Sequence, residues 1–161
     1  MENFLDLVKK RHSVRIYEDK PIPEEDIRYI LEAAQFAPTA FNAQGFHFIV
    51  TSKREKIKKI AEATEMVFIN NAPVVVVAIG KDEENKYNVV DVAIALDHLQ
   101  LAAAERGIGS CWIGTLGHWK VEEALDISEM EKVYAVMPLG YDAGKLMPKK
   151  RKEFDELFTI E

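Results

Sequence analysis

The order of the predicted elements indicates an α+β protein that forms one domain over residues 1–161. The chain has 161 residues and 18.3 kDa, and a domain usually takes roughly 100–200 residues. Apolar residues make up 48% and charged residues 30%, which is typical of a folded chain. The predicted helices and strands follow the order α, α, β, α, β, α, β, α, β and end in a tail. Because strands and helices do not alternate strictly, this order favours an α+β layer structure over a doubly wound parallel sheet.

The first half of the chain predicts three helices and one strand. Asn3 is a good N-cap for a first helix, which ends near Arg11 and leads into extended chain. A cluster of acidic residues at Glu24 begins a second helix that continues to about Phe36, and Pro38 stops it. The other elements predicted here are a loop at 37–45, a strand with alternating apolar residues at 46–51 and an amphipathic helix at 53–64.

The second half is more apolar. Pro73–Gly80 (PVVVVAIG) is a continuous apolar run, which predicts a strand buried on both faces. Tyr87–Arg106 predicts a helix that is apolar nearly all round, so it lies centrally or at a subunit interface. The remaining predictions are a turn and one short strand at 107–114, a helix at His118–Leu125, a strand at Lys132–Gly140 and a tail whose residues Phe154–Ile160 need something to pack against.

Composition excludes several classes of protein. The net charge of −6 and the pI near 5.3 argue against nucleic acid as a partner. No apolar stretch reaches the roughly 20 residues needed to span a bilayer, and the first residues lack the apolar core of a signal peptide. The single cysteine, Cys111, excludes an internal disulfide and fits a reducing compartment. We therefore expect a cytoplasmic protein without a membrane partner.

The charge is distributed unevenly along the chain. Four cations lie within residues 9–15 and five within Gly144–Lys152, and neither segment contains an acid. Without these nine cations, 12 basic residues would face 27 acidic ones, a net charge of −15. Two basic segments in an acidic protein indicate one anion site built from both ends of the chain. The alternative is two separate solvated segments, such as helix C-termini.

Two polar segments suit ligand binding. In extended chain, alternate side chains face the same way, so Arg11, Ser13 and Arg15 would present two guanidinium groups and a hydroxyl on one side. This arrangement suits a phosphate or an electron-rich heterocycle. In the loop, the amides of Asn42 and Gln44 suit the edge of a planar imide ring. The alternatives are an ordinary exposed edge and a plain helix-to-strand connection.

Other catalytic motifs are missing from the sequence. The glycines of Gly107–Thr115 (GIGSCWIGT) allow the backbone to approach a ligand closely. The segment contains neither the G-x-G-x-x-G motif of dinucleotide-binding folds nor the G-x-x-x-x-G-K-[ST] phosphate-binding loop. Cys111 lies in an apolar context that favours an inert thiol over a nucleophile. The four histidines lack metal-ligand spacing, which favours structural roles over a metal site. No serine-hydrolase elbow is present.

Six segments in this order resemble the small FMN-dependent nitroreductase family along nearly the whole chain. They are RHSVRIY, APTAFNAQGFHFIV, NAPVVVVAIG, DVAIALDHLQLAAAERGIGSCWIG, MPLGY and PKKR. The resemblance implies a three-layer α+β sandwich in which helices flank a mixed, mostly antiparallel sheet. It also implies an interlocked homodimer that binds FMN in two clefts between the protomers.

The resemblance also assigns residues to the cofactor. It implies that Arg11, His12 and Ser13 hold the ribityl phosphate and that Arg15 lies near the N1/O2 edge of the flavin. Lys149 and Arg151 would close on the phosphate from the tail. Pro38, Thr39 and Ala40 would reach the flavin from the partner protomer, with Asn42 and Gln44 close to the ring. Ile113, Gly114 and Thr115 would lie over the other face of the flavin.

This chain departs from the family pattern at two places. Larger members carry a helical insertion that covers the substrate cleft, whereas here the chain passes directly from Lys86 into the long helix. Phe41 stands where smaller residues are usual, so we expect it to contact and narrow the substrate site. Both departures concern the substrate and not the flavin.

The implied activity is an NAD(P)H-dependent oxidoreductase with ping-pong kinetics. Hydride would pass from NADH or NADPH to flavin N5, and a small-molecule acceptor such as a nitroaromatic or quinone would then take the electrons. Arg15 would stabilise negative charge near N1, and no side-chain general acid is required. The alternatives are a reductive dehalogenase or flavin-fragmenting oxygenase of the same fold, a flavin-binding carrier or sensor without turnover, and a structural dimer whose site has decayed.

Overall fold

The computed structural model describes residues 3–81, 87–114, 119–145 and 149–161. Six helices are found in these ranges: α1 (Phe4–Lys10), α2 (Glu24–Gln35), α3 (Arg54–Thr64), α4 (Asn88–Glu105), α5 (Trp119–Ala124) and α6 (Phe154–Leu157). The strands are β1 (Phe46–Thr51), β2 (Val74–Lys81), β3 (Gly109–Ser110), β4 (Ile113–Gly114) and β5 (Glu131–Gly140). Two 3₁₀ turns, Ala40–Asn42 and Val67–Asn71, complete the order.

The five strands form one sheet in the order β1-β2-β5-β3, and β4 also pairs with β5. Every strand pair is antiparallel. A parallel bridge between Ser13 and Ser110 makes the sheet mixed within the described part of the chain. The predicted α+β class and the mostly antiparallel sheet are therefore confirmed.

β2 separates two apolar cores, and the alternation of its side chains explains the three layers. Val74, Val76 and Ala78 pack with α2 and α4 on one face of the sheet. Val75, Val77 and Ile79 pack with α3 and α5 on the other. Because successive strand residues point to opposite faces, a run of valines fills both cores at once. The predicted strand buried on both faces is confirmed.

The short strand predicted within 107–114 is instead two strands. β3 pairs with Leu139 and Gly140 of β5, and β4 pairs with Ala135 and Val136. Between these pairs lies Pro138, whose ring nitrogen cannot donate a hydrogen bond to the ladder. The chain leaves the regular ladder there, although the Cys111 N–H still donates to the Pro138 carbonyl (3.3 Å).

The first helix begins as predicted, because the Asn3 side chain accepts a hydrogen bond from the Leu5 N–H (3.0 Å). The end of the chain, predicted as a tail, instead contains the short helix α6. Phe154, Leu157, Phe158 and Ile160 are all more than half exposed. Exposed apolar side chains on both α1 and the tail leave surface that a further partner can cover.

Candidate functional site

The basic segment at residues 11–15 lies in extended form along β3. The Val14 N–H donates to the Ser110 carbonyl (2.9 Å), and the Val14 side chain is buried. This approach requires a glycine at Gly109, because a Cβ there would lie 2.5 Å from Val14 Cγ2. Val14 therefore anchors the segment, while the neighbouring Arg15 side chain points to solvent.

The buried side chain of Tyr17 fixes the same segment through hydrogen bonds. Its hydroxyl lies 2.7 Å from the Val14 carbonyl and 3.3 Å from the Pro138 carbonyl, both of which accept hydrogen bonds. Burial raises the pKa of Tyr17 far above its ordinary value, and the charges of Cys111 and Asp142 add to the rise. The hydroxyl therefore remains a donor and joins residues 11–17 to β5.

His12 connects the basic segment to the loop that follows β5. Its Nε2 lies 2.8 Å from Asp142 Oδ2, and its Nδ1 lies 3.1 Å from the Lys10 carbonyl. Asp142 also accepts the Gly144 N–H through Oδ1 (2.8 Å). The His12 ring therefore contacts Asp142, and the pair holds residues 11–15 beside the loop that leads into the tail.

The two basic segments, far apart in sequence, line one cleft. Arg11 comes from the end of α1, and Lys149 and Arg151 come from the tail. The cleft has a volume of about 630 Å³, within the range of small-molecule sites. Its other walls are Phe4, Val8, Lys9, Lys10 and His12 from the N-terminal region and Asp97, Gln100 and Leu101 from α4. The structure thus unites the basic clusters in one place, as expected for a shared anion site.

The thiol of Cys111 is buried near the basic segments. Burial raises the pKa of the Cys111 thiol, while the charges of Arg15 and Lys149 and a hydrogen bond with Ser13 oppose that rise. A thiol with a raised pKa stays protonated at neutral pH and is a poor nucleophile. Cys111 is therefore not a candidate nucleophile.

The loop at 38–45 has an unusual backbone. Phe41, Asn42 and Gln44 have φ values of 56°, 55° and 49°, in the left-handed region. Within the loop, the Gln44 N–H donates to Thr39 Oγ1 (3.2 Å), and Gln44 Nε2 donates to the Asn42 carbonyl (3.3 Å). Asn42 and Gln44 are exposed, so their amides are accessible to a ligand.

Phe41 lies at the outside of this loop. Its side chain is 91% exposed, and its ring makes an edge contact with the ring of Tyr87, with 6.0 Å between the ring centres. A large apolar side chain held in solvent by a left-handed backbone is available to contact a planar molecule. The substrate role of Phe41 remains a prediction.

Two functional candidates escaped the sequence analysis. Asp91 is 2% exposed, and its Oδ1 accepts the Ala40 N–H of the loop (3.0 Å). The signal for it was a lone acid within an otherwise apolar stretch, Val89–Ile94. Asp142 is the second, and only its contact with His12 reveals it.

The loop and the basic cleft contact different halves of α4. The loop is bonded to Asp91, and the cleft is lined by Asp97, Gln100 and Leu101. At 1.5 Å per residue these positions are about 9 to 15 Å apart along the helix axis. The loop and the cleft therefore contact different turns of α4.

The third predicted segment lies at the edge of β5. Ile113 is buried and Gly114 is exposed, and both belong to β4. A Cβ on Gly114 would meet Trp112 Nε1 at 3.8 Å, an ordinary contact. Thr115, predicted to lie over the flavin, is outside the described residues.

The described residues lack two kinds of feature. No group of three or more His, Cys, Asp or Glu side chains there is arranged to hold a metal ion. None of the described helices is both long and apolar enough to cross a membrane.

Fold and site together define a class: an α+β protein with a mostly antiparallel sheet and a cationic cleft for an anionic small molecule. The sequence profile described as "Nitroreductase family" matches residues 8–69 and 63–141. The chain belongs to the nitroreductase family. The resemblance seen in the sequence is thereby confirmed.

Relatives and solved structures agree with this assignment. A protein of Archaeoglobus fulgidus, provisionally named NADH dehydrogenase/NAD(P)H nitroreductase, is 38% identical over 97% of this chain and 91% of its own length. The structure of an FMN-dependent nitroreductase from Clostridium difficile R20291 has a TM-score of 0.84 and 30% identity, covering 95% of this chain and 94% of that one. A Thermotoga neapolitana protein named iodotyrosine deiodinase is 25% identical over 88% of this chain and 89% of its own length.

These comparisons confirm, at the level of the family, the prediction of an oxidoreductase of the nitroreductase type. The names of the relatives also agree with FMN as cofactor and NAD(P)H as hydride donor. The individual site residues, the acceptor and the dimer stay predictions.

Proposed function

We propose that this chain is an FMN-dependent oxidoreductase that takes hydride from NADH or NADPH and passes electrons to a nitroaromatic, quinone or similar acceptor. The observation that supports this most directly is the cleft shared by Arg11, Lys149 and Arg151. An otherwise acidic chain collects cations from both ends in one place, which suits a phosphate-bearing ligand. The nitroreductase named FMN-dependent covers nearly the whole chain.

The residues present fit the phosphate end of such a cofactor. Guanidinium groups give paired donors to phosphate oxygens, and lysine adds a point charge. In this proposal, Arg11, Lys149 and Arg151 hold the phosphate and Ser13 donates its hydroxyl. His12 contributes as a positioning residue, because its ring already contacts Asp142. Bound FMN would supply the hydride and electron chemistry, and the protein would supply binding, orientation and electrostatics.

Arg15 would tune the electrostatics of the site. Its side chain is exposed on the edge of the molecule, yet its charge reaches the buried Cys111. A guanidinium stays charged at any physiological pH, so it stabilises negative charge that develops beside it. Protons would come from solvent, and we assign no side chain as general acid.

The second wall of the site would come from another copy of the chain. As the resemblance to the family implies, Pro38, Thr39 and Ala40 would reach the flavin from the partner protomer, with Asn42 and Gln44 near the ring. Ile113, Gly114 and Thr115 would lie over the opposite face of the flavin. A homodimer therefore completes the site, with each loop serving the cleft of its partner.

Exposed apolar side chains support this homodimer. They occur on α1 at Phe4, Leu5 and Val8, on α4 at Val89 and Val90, and in the tail at Phe154, Leu157, Phe158 and Ile160. A monomeric protein rarely leaves such a set uncovered. An exchange of tails between protomers would bury the set and interlock the dimer. We place the enzyme in the cytoplasm, where its cysteine stays reduced.

The test is an absorption spectrum of the freshly purified protein, followed by anaerobic addition of NADH and then NADPH. We expect the bands of oxidised flavin, their bleaching by at least one donor, and parallel lines in initial-rate plots against an acceptor. A colourless protein that ignores added FMN would contradict the proposal. Bound flavin that neither donor bleaches would indicate the carrier or sensor alternative.

A second candidate comes from the relative named iodotyrosine deiodinase. The discriminating measurement is halide release from a halogenated phenol under reducing conditions, compared with reduction of a nitroaromatic. Halide release with a higher kcat/KM than nitro reduction would favour the dehalogenase alternative.

A further inference from the structure

The first turn of α4 supports the loop 38–45 at two points. Near the start of the loop, the Ala40 N–H donates to Asp91 Oδ1 (3.0 Å). At its end, Gly45 lies so close to Asn88 that a Cβ there would be 2.8 Å from Asn88 Oδ1. Residues three apart in a helix lie on the same face, so Asn88 and Asp91 meet the loop together.

This support matters because the loop backbone is strained. Phe41, Asn42 and Gln44 all have left-handed φ values, and none is a glycine. For Phe41 and Gln44 this conformation costs on the order of 1 kcal/mol each, whereas asparagine adopts it more readily. A strained conformation of this kind persists only when surrounding contacts impose it. Without a fixed attachment, the loop would relax to a lower-energy form and move its side chains.

The burial of Asp91 is energetically unfavourable. It is 2% exposed within an apolar helix, and burying a carboxylate carries a large desolvation cost. Its Oδ2 makes no hydrogen bond to any of the described residues. Among these residues, the side chain of Asp91 is therefore hydrogen-bonded only through Oδ1, to the Ala40 N–H. A buried side-chain oxygen that accepts a backbone N–H fixes the loop at Ala40.

We propose that Asp91 is a positioning residue whose carboxylate holds the loop 38–45 in its strained form. The loop then presents Asn42 and Gln44 to the flavin ring and Phe41 to the electron acceptor, a consequence that rests on the proposed function. Asp91 acts through the Ala40 N–H and touches neither cofactor nor acceptor. Because the loop serves the partner's cleft, Asp91 of one protomer would set the geometry of the other protomer's site.

The first test measures the loop without cofactor, by amide hydrogen exchange in flavin-free protein. Asp91→Ala removes the acceptor, and we expect exchange across 38–45 to become about tenfold faster or more. Asp91→Asn keeps an acceptor oxygen in place, and we expect exchange close to that of the unmodified protein. The control is Glu105→Ala at the far end of α4, which loses a hydrogen bond from the Tyr29 hydroxyl (2.5 Å) and should leave the loop unchanged.

A second variant removes the donor instead of the acceptor and leaves the core of α4 intact. Ala40→Pro deletes the N–H, and the extended Thr39 (φ −128°, ψ 152°) is compatible with a following proline. If the hydrogen bond is the attachment, Ala40→Pro and Asp91→Ala should produce similar losses, and the double variant should be little worse than either. If Asp91→Ala fails to fold, Ala40→Pro still tests whether this hydrogen bond holds the loop.

The loaded enzyme supplies the functional readout. We expect Asp91→Ala to weaken FMN binding by about tenfold and to raise the KM for an aromatic acceptor, with recovery in Asp91→Asn. Unchanged exchange and unchanged KM in Asp91→Ala would overturn the inference, as would equal changes in Glu105→Ala. If the unmodified protein binds no FMN, the proposed function fails, while hydrogen exchange still decides whether Asp91 holds the loop.

Discussion

The two regions beside opposite halves of α4, the basic cleft and the loop 38–45, are held in place by different forces. The basic cleft is built from cations on an α-helix end and on an exposed tail. The loop 38–45 is built from a strained backbone that a buried carboxylate holds. One half of the proposed site thus contributes long-range charge, which salt screens. The other half contributes fixed geometry, which salt leaves unchanged.

The largest expected effect is on FMN binding by the basic cleft. Lys149→Ala combined with Arg151→Ala should weaken FMN binding by about a hundredfold or more, because each loses a charge-assisted contact with phosphate. Fluorescence titration would measure the change. Riboflavin, which lacks the phosphate, should bind both proteins equally.

The control for that prediction removes the same charge elsewhere. Lys56→Ala combined with Lys59→Ala changes two exposed lysines of α3. FMN binding that falls equally in both double variants would mean that net charge alone attracts the ligand and that the cleft is not the phosphate site.

A smaller effect is expected from the anchor of residues 11–17. Tyr17→Phe leaves the buried Val14 carbonyl without its hydroxyl donor, and we expect the free energy of unfolding to fall by about 1 to 2 kcal/mol. Chemical denaturation at neutral pH would measure it. An unchanged midpoint would show that the hydroxyl does not anchor the segment.

The same variant predicts a pH dependence. Burial raises the pKa of Tyr17, so the folded protein keeps a proton that the unfolded chain loses above its ordinary pKa of 10.0. Stability from this group is complete below pH 10 and falls above it, by up to about 1.4 kcal/mol per pH unit. Tyr17→Phe should remove this part of the alkaline slope, and identical slopes would contradict the prediction.

A still smaller effect is expected on the loop side. Phe41→Ala should raise the KM for an aromatic acceptor by about two- to tenfold, because an aromatic contact adds about 0.5 to 1.5 kcal/mol. Stability should hardly change, since the side chain is exposed. Phe36→Ala, an exposed phenylalanine at the end of α2, is the matched control, and an equal KM change there would exclude a specific role for Phe41.

The smallest effect is expected at Cys111. Since burial raises the pKa of its thiol, Cys111→Ala should change kcat by less than about twofold and cost only about 1 kcal/mol of stability. Steady-state kinetics and thermal unfolding would measure both. A large loss of kcat with intact FMN binding would restore the nucleophile alternative.

Charge and periodicity predicted much of the architecture from the sequence. Nine cations in two acid-free segments indicated a shared site, and the structure places members of both in one cleft. The valines of β2 predicted burial on both faces, because no polar residue interrupts them. These features follow from composition along the chain, so a sequence reveals them.

The loop and its support were harder to predict. The sequence around Phe41, Asn42 and Gln44 does not predict a left-handed backbone, because contacts with α4 impose the φ values of these residues. The significance of Asp91 depends on a neighbour 51 positions earlier in the chain. The division between β3 and β4 depends likewise on Pro138 of a strand that follows later. Such features are tertiary, and only the folded chain shows them.

The burial of β2 on both faces also bears on how the chain is made. β1 is available as a partner when β2 leaves the ribosome, but β5 begins only at Glu131, after the 49 residues 82–130. At 5–20 residues per second that interval lasts roughly 2 to 10 s. During it, an uncharged run of valines has one unpaired edge, which is the pattern that aggregates most readily. The chain therefore exposes an aggregation-prone strand edge until β5 has been synthesised.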